Sequence, residues 1–223
     1  MLAIIQARMS SRRLKGKVLK FLGKKTLLER VIRNINHSRR IKRIIIATSI
    51  NKDDDEVFNF CKKRKIDCFR GSLNNVYLRF VSVIKKYNAS SFVRITADSP
   101  FIDPALIDQG IKLYKAGSYD MVTNTFPRSF PKGQSFSIHK SKIFISNLKK
   151  VKKRDHKEHI TPYFYENSKN FKIKNIEYNS NQSHLNMSVD TKSDLIKARK
   201  IIRKFNLNKK KNYLSNLIKV FSN

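Results

Sequence analysis

A loop rich in hydrogen-bond donors follows the first apolar segment of the chain. Leu2–Gln6 is predicted to be a buried strand, and residues 7–17 (ARMSSRRLKGK) then combine serine hydroxyls with basic side chains. Guanidinium, ammonium, hydroxyl and backbone N–H groups are the donors that a triphosphate requires. The loop is not a Walker A motif, because Ser11 and Val18 stand where that motif has Gly and Ser or Thr. It therefore indicates a phosphate-binding loop of another kind, although a basic loop alone is also typical of solvated surface.

Two aspartates are each predicted to lie at the end of an apolar strand. Asp98 closely follows the strand at 91–96 (SFVRIT), and Asp190 follows the strand at 185–189 (LNMSV). Ligands of open α/β sheets bind beyond the carboxyl ends of the strands, where the basic loop also begins. Mg²⁺ takes few protein ligands and keeps phosphate oxygens and waters, so the combination predicts a metal–triphosphate site. Taken alone, each aspartate could equally be a turn or helix N-cap.

The elements that must position these residues alternate between strands and helices. Further strands are predicted at 43–48, 67–71, 120–124, 134–140 and 171–178. Helices are predicted at 27–35, 53–65, 74–87, from 104, at 155–167 and at 192–205. Thr26 and Glu29 form a capping-box pattern at the first helix. The alternation predicts one three-layer α/β domain over residues 1–208 with a mostly parallel sheet, followed by a basic helical tail at 209–223.

The net charge is the strongest compositional feature of the 223-residue chain. Forty-nine Lys and Arg residues against sixteen Asp and Glu residues give +33, which should attract polyanions. Lysine is spread along the whole sequence, however, and the basic clusters are not interleaved with aromatic side chains as in a base-stacking surface. We therefore expect no specific nucleic-acid partner, and a basic nucleic-acid-binding module remains the alternative.

The apolar runs and the two cysteines indicate the cellular compartment in which the protein is expected. No apolar run approaches the roughly 18 residues of a membrane span, and charge follows too soon after Leu2 for a secretory signal peptide. Cys61 and Cys68 form no C-x-x-C motif, which favours two reduced thiols. We expect a cytoplasmic protein without membrane insertion.

Several motifs together resemble one enzyme family. The segment QARMSSRRLKGKVL is similar to the opening of bacterial cytidylyltransferases, whose pattern is A-R-x-x-S-x-R-L-P-G-K. FRGSLNNVYLRF, RITADSPFIDP, EHITPYFYEN and SVDTKSDL match the same family in the same order, between about Leu2 and Arg203. The branch most resembled is that of spore-coat polysaccharide biosynthesis cytidylyltransferases, relatives of CMP-keto-deoxyoctulosonate and CMP-sialate synthetases. The resemblance implies a three-layer, Rossmann-like nucleotide-diphospho-sugar transferase fold.

The same resemblance implies substrates, a cofactor and roles for individual residues. CTP and a sugar or keto-sugar acid would react with Mg²⁺ to release pyrophosphate, for surface polysaccharide or glycan synthesis, in a homodimer. The implied nucleotide site comprises Ala7, Arg8, Ser10, Arg13, Lys17, Arg79 and Asp98. Arg8, Lys17 and Asp98 would be catalytic, and Arg79 would lie near the base. Asp98 and Asp190 would bind the metal.

The chain also departs from the family pattern. Lys15 replaces the usual proline of the first loop, and Ser135 and Ser137 replace the two acids of G-L-D-V-E-V. The serines point to an altered sugar pocket or to a degenerate homologue that binds nucleotide without turnover. In RDHKEHITPY, Glu158 and His159 are candidates for the sugar pocket; a dimer contact and a packed helix are the alternatives.

The charge interpretation predicts weak DNA binding without sequence preference. Two duplexes of equal length and different sequence should bind alike, and the affinity should fall with salt by about 0.9 log units per log unit for each neutralised phosphate. Fluorescence anisotropy over a salt series measures both quantities. A tight complex with only one of the duplexes at physiological salt would overturn the interpretation.

Overall fold

The computed structural model describes residues 1–204 and 213–222 and contains a seven-stranded, mostly parallel sheet between helices. Strands are β1 (Leu2–Gln6), β2 (Phe21–Leu22), β3 (Lys25–Thr26), β4 (Arg43–Ser49), β5 (Cys68–Gly71), β6 (Ser91–Thr96), β7 (Met121–Thr123), β8 (Ser137–Lys140) and β9 (Ile173–Asn175). Helices are α1 (Leu27–Ile35), α2 (Asp55–Lys63), α3 (Val76–Lys86), α4 (Pro104–Ala116), α5 (Ser141–Ser146), α6 (Arg154–His159), α7 (Pro162–Glu166), α8 (Lys192–Lys204) and α9 (Tyr213–Ser222).

The strand order places β1 at the centre of the sheet. The order is β5-β4-β1-β6-β8-β7-β9. Neighbouring strands pair in parallel, except that β8 pairs antiparallel with both β6 and β7. Gln6, the last residue of β1, pairs with Thr96, the last residue of β6. The segments that leave these two strands therefore start side by side at one edge of the sheet.

Both faces of the central strands are buried, as continuous apolar runs require in a parallel sheet. In β1, Ala3 and Ile5 pack into the core beneath α1, α2 and α4, whereas Leu2 and Ile4 pack against α3, α5 and α7. The result is the three-layer α/β architecture predicted from the alternation. The capping box at α1 is also confirmed: the Glu29 amide donates to Thr26 Oγ1 (3.2 Å), and the Thr26 amide donates to Glu29 Oε2 (2.7 Å).

The single helix predicted at 155–167 is wrong, because the structure divides it into α6 and α7. Ile160 ends α6 with φ at 57°, a left-handed conformation that β-branched residues rarely adopt. Pro162, the first residue of α7, has no N–H to donate to the turn before it. The break turns α7 into the aromatic core and leaves α6 beside the carboxyl ends of the strands.

The strand predicted at 185–189 is also wrong. The segment makes an isolated bridge between Lys132 and Asn186 rather than a strand. Asn186 Oδ1 accepts from the Ser188 amide (3.0 Å), and this local turn competes with strand pairing. The Val189 amide donates to the Asp98 carbonyl at 2.9 Å. That hydrogen bond brings the segment before α8 against the turn that follows β6.

The C-terminal helix contributes to the core. Tyr213, Leu214, Leu217 and Phe221 are buried; the Phe221 ring lies edge-on to Phe101, with centroids 5.3 Å apart. The basic cluster of the predicted tail, residues 209–211, lies outside the described residues. Between Tyr213 and Ser222 the only basic residue is Lys219, so this part of the predicted basic tail is an amphipathic helix. In residues 1–204 and 213–222, no helix has the length and apolarity needed to cross a bilayer.

Gly133 generates a prediction about folding. Its φ is +90°, and a Cβ there would lie 2.7 Å from the backbone of Met187 and Ser188. Gly133→Ala should lower the free energy of unfolding by roughly 2 kcal/mol or more, because strained backbone adds to a clash that no side-chain rotation relieves. Urea denaturation measures the difference. The exposed neighbour gives the control: Lys132→Ala should change stability by about 0.5 kcal/mol or less, and equal stability of the two variants would contradict the prediction.

Candidate active site

A cavity of about 1230 Å³ opens at the carboxyl ends of β1 and β6. Its lining comes from the loop after β1, the turn after β6, α6 and Asp190. The volume exceeds the roughly 300–1,000 Å³ of sites for drug-sized ligands, so a nucleotide and a second substrate could both enter. The structure thus brings most residues of the predicted site to one place: Ala7, Arg8, Ser10, Arg13, Lys17, Asp98, Glu158, His159 and Asp190.

Lys17 joins the two predicted metal ligands. Gly16, in the left-handed conformation (φ 65°), starts the turn that directs Lys17 inward. Lys17 Nζ lies 2.9 Å from Asp98 Oδ2 and 2.8 Å from Asp190 Oδ1. Burial alone would lower the pKa of Lys17, but the two carboxylates outweigh it and raise the pKa above its ordinary value. Lys17 is therefore a permanent cation.

Asp190 does not cap α8. The capping groups are Thr191 and Asp194: the Asp194 amide donates to Thr191 Oγ1 (3.2 Å) and the Thr191 amide to Asp194 Oδ2 (2.8 Å). The Asp190 carboxylate instead faces Lys17 and, at 3.2 Å, the guanidinium of Arg13. Burial would raise the pKa of Asp190, but these cations hold it below its ordinary value. The simpler N-cap interpretation of Asp190 is thus wrong.

Arg8 is held from the opposite side of the cavity. Both terminal nitrogens of its guanidinium contact the Glu158 carboxylate of α6, one of them at 3.1 Å. This bidentate, half-exposed ion pair spans from the loop after β1 to α6. Glu158, predicted as a sugar contact, is therefore in the cavity but is paired with a predicted phosphate ligand. His159 is exposed and lies 3.7 Å from Asp155.

Several backbone amides of the loop after β1 are already hydrogen-bonded within the fold. The amide of Ala7 donates to the Ala47 carbonyl (3.1 Å), and the amide of Ser11 donates to the Met9 carbonyl (2.8 Å). The Met9 amide donates to Asp54 Oδ1 at 2.6 Å. Ala7 can thus line the site but cannot donate its N–H to a phosphate as the loop pattern led us to expect.

Arg79 is the one residue of the predicted site that the structure does not bring to the cavity. Its side chain is 1% exposed, donates to the Ser72 carbonyl at 3.1 Å and does not line the cavity. Burial lowers the pKa of Arg79 to about 10. Leu73 and Asn74, which follow its partner, do line the cavity. In this structure Arg79 thus contacts the loop beside the cavity and not the cavity itself, and its expected role near the base stays a prediction.

Two residues that sequence reasoning missed also shape the site. Asp54, interpreted only as part of a helix start, is buried; it accepts from Met9 and from the amide and hydroxyl of Ser49, which fixes the loop to β4. Arg94 lines the cavity from the middle of β6, where its Nε donates to Gln6 Oε1 at 3.1 Å. A charged residue inside the apolar run SFVRIT was the signal that could have identified Arg94.

The carboxylate pair fits Mg²⁺ in donor chemistry. Two oxygens from different segments converge on a single cation, the Lys17 ammonium, at 2.9 and 2.8 Å. Mg²⁺ is commonly held by one or two carboxylates together with phosphate oxygens and waters. Over residues 1–204 and 213–222, no group of three or more His, Cys, Asp or Glu side chains is placed to hold a metal.

Comparisons with known proteins agree with the fold and the motifs. A family model described as cytidylyltransferase matches residues 2–220. The spore coat polysaccharide biosynthesis protein SpsF of Bacillus subtilis is 32% identical over 205 residues, which cover 86% of this chain and 82% of that protein. The 3-deoxy-manno-octulosonate cytidylyltransferase of Rickettsia akari is 34% identical over 126 residues, 54% of this chain and about half (49%) of that enzyme.

A solved structure matches nearly the whole chain. The cytidylyltransferase from Leptospira borgpetersenii superposes with a TM-score of 0.92 at 28% identity, over 99% of this chain and 96% of that one. Fold, ordered motifs and family model thus agree over the same residues. The chain belongs to the cytidylyltransferase family.

Proposed function

We propose that the protein transfers CMP from CTP to a hydroxyl group of a sugar or keto-sugar acid and releases pyrophosphate. The observation that carries the proposal is the position of Lys17 between Asp98 and Asp190, with Arg8 and Arg13 in the same cavity. The role would be in surface polysaccharide or glycan biosynthesis. The cytoplasm as compartment and a homodimer as assembly are part of the proposal.

The ion pairs support a charge-exchange account of nucleotide binding. Arg8 is paired with Glu158, and Lys17 is paired with Asp98 and Asp190. A triphosphate that enters the cavity brings phosphate oxygens to these cations as new partners. The loop after β1 already holds the cations in the cavity. Because nucleotidyl transfer builds charge on the leaving pyrophosphate, fixed cations there stabilise the transition state without reorganising. Arg8 and Lys17 are the side chains we assign to this role.

Asp98 and Asp190 would hold Mg²⁺ when Lys17 turns to the phosphates. When bound, the ion supplies charge neutralisation and orients the phosphates for in-line attack. Asp98, which also accepts from Ser99 Oγ at 3.3 Å, is a candidate to take the proton of the attacking hydroxyl. The remaining contribution of the chain is positioning, since a fixed geometry lowers the entropy cost of bringing two substrates together.

A second candidate is a homologue that binds nucleotide without turnover. It is favoured by Ser135 and Ser137, which stand where the family pattern has acids. A pyrophosphate-release assay with CTP, Mg²⁺ and a panel of sugars and sugar acids separates the two. Release with one acceptor and none without acceptor supports transfer. CTP binding without release over the panel supports the binding-only candidate.

The carboxylate pair generates a prediction about the metal. Asp98→Asn and Asp190→Asn should each lower kcat by roughly 10²–10³, because each removes preorganised charge at the phosphates. The double variant should be only slightly worse than either single variant, since both residues serve one ion. Mg²⁺-dependent CTP binding by calorimetry and steady-state turnover measure these effects.

Asp194→Asn is the matched control for this prediction. It alters the neighbouring carboxylate, which does not line the cavity but accepts from the amides of Asp190 and Thr191. Asparagine keeps one oxygen that can accept from these amides. It should cost about 1 kcal/mol of stability and keep both CTP binding and its Mg²⁺ dependence. If Asp98→Asn and Asp190→Asn behave like this control, with a lower melting temperature and an unchanged Mg²⁺ response, the metal assignment is wrong.

Nucleotide choice is a separate prediction. Calorimetric titration with CTP, ATP, UTP and GTP in the presence of Mg²⁺ should show the tightest binding for CTP. The reason is the match of the loop after β1 and of the 69–80 segment to the cytidylyltransferase pattern. Equal affinity for ATP or UTP would contradict CTP as the substrate while leaving a nucleotidyl-transfer site in place.

A further inference from the structure

One basic cluster of the chain lies partly at the rim of the cavity. Residues 149–157 (KKVKKRDHK) carry six Lys and Arg side chains in nine positions. Lys149 and Lys150 do not line the cavity, and Lys153 Nζ contacts Glu166 at 2.6 Å instead. The other three cations of the cluster line the cavity and are called the rim cations below: Lys152, Arg154 and Lys157.

The backbone that carries the rim cations is anchored in the fold. Arg154 and Lys157 are three residues apart in α6 and so lie on one face of the helix. His156, on another face of α6, is buried, and Val151 and Ile160 on either side of the segment belong to the core beneath the sheet. The rim cations therefore have a defined position at the cavity, although two of them are exposed to solvent and Lys157 is half-buried.

The rim cations have no acidic partners, unlike three cations of the loop after β1. Within residues 1–204 and 213–222, no carboxylate oxygen lies within 4.0 Å of their charged groups. Asp155, the acid between them, lies 3.7 Å from His159. Three of the five unpaired cations that line the cavity in these ranges are rim cations; the others are Arg12 and Arg94.

Paired and unpaired cations differ in how far their attraction reaches. The opposite charges of an ion pair largely cancel at distances greater than their separation, because each contributes a Coulomb energy of opposite sign. Arg8 and Lys17, which contact acids, therefore attract a distant anion weakly. An unpaired cation at the rim of a cleft keeps its field, and clefts lined by one sign of charge raise the association rate of the opposite charge. Attraction of anions from solution is thus a property of the unpaired cations.

We propose that Lys152, Arg154 and Lys157 form an entry surface for the triphosphate of the nucleotide. They accelerate its association with the cavity, and the loop after β1 then holds it by exchanging acidic partners for phosphate oxygens. Eight basic and four acidic side chains of the described residues line the cavity, so the surplus charge is of the sign that a triphosphate requires. The inference rests on the proposed function, since it takes the triphosphate of CTP as the ligand.

Rate constants test the entry surface. The double variant Lys152→Gln/Arg154→Gln should lower the association rate constant of CTP roughly 3- to 10-fold at low salt, the lower end of the gain from electrostatic steering. The dissociation rate constant should change by about twofold or less, because charges at the rim act mainly on association. The association rate of the variant should also depend less on salt. Stopped-flow fluorescence with Mg²⁺ and a CTP analogue labelled on its ribose measures both rate constants over a salt series.

Lys149→Gln/Lys150→Gln is the matched control. It removes the same charge from the same cluster, at two exposed positions that do not line the cavity. At about 0.15 M salt, where screening limits attraction to about 8 Å, its association rate constant should stay within about twofold of that of the unaltered protein. Charge reversal in Lys152→Glu/Arg154→Glu should slow association more than neutralisation does. Melting temperatures show whether each variant folds.

Two kinetic results would overturn the inference. One is equal association rate constants for the rim variant and the control variant. The other is an unchanged association rate constant with faster dissociation in the rim variant, which would make Lys152 and Arg154 contacts of the bound nucleotide and not an entry surface.

Inorganic tripolyphosphate separates this inference from the proposed function, because it carries the phosphate charges without cytidine. If CTP does not bind, the proposed function is wrong, and ³¹P NMR exchange measurements with tripolyphosphate on the same variants still decide the entry surface. Slower tripolyphosphate association in the rim variant than in the control then supports the inference. Equal association in the two variants, or no binding of tripolyphosphate to the unaltered protein, contradicts it even if CMP transfer is observed.

Discussion

The contact of one ammonium group with two carboxylates holds the site together. Lys17 is 81 residues from Asp98 and 173 residues from Asp190 along the chain, so the ion pairs exist only when the first loop, the turn after β6 and the segment before α8 have all folded. The lysine side chain is 12% exposed. If one partner of such a pair is lost, the remaining charge is poorly solvated and unpaired, which is costly. The segments that carry Lys17, Asp98 and Asp190 therefore depend on one another.

The backbone arrangement that permits this contact is equally specific. Parallel pairing sets the ends of β1 and β6 side by side, and the hydrogen bond from Val189 to the Asp98 carbonyl adds a third segment that has no strand of its own. Gly133 lets that segment approach, since any side chain there would meet its backbone. The positions of the two aspartates are thus fixed by main-chain geometry, and their side chains remain available for a cation.

Periodicity and capping patterns were sufficient to predict the sheet, because buried parallel strands leave unbroken apolar runs such as RIIIAT and helix starts leave local signals such as Thr26 and Glu29. The same reasoning failed where local and distant contacts compete. At 185–189, the Asn186 turn outweighs ladder pairing. At 155–167, helical spacing does not reveal the left-handed Ile160. Arg79 was assigned to the nucleotide from its motif, but only the fold shows that its side chain is buried under the loop it supports.

Three cations of the cavity are already paired with acids. Arg8, Arg13 and Lys17 contact Glu158, Asp98 and Asp190, so a polyanion that enters the cavity would have to displace carboxylates. A divalent cation that took up the released acids would make this exchange easier. Activation of the first substrate would then depend on the loop after β1, because that loop carries all three cations.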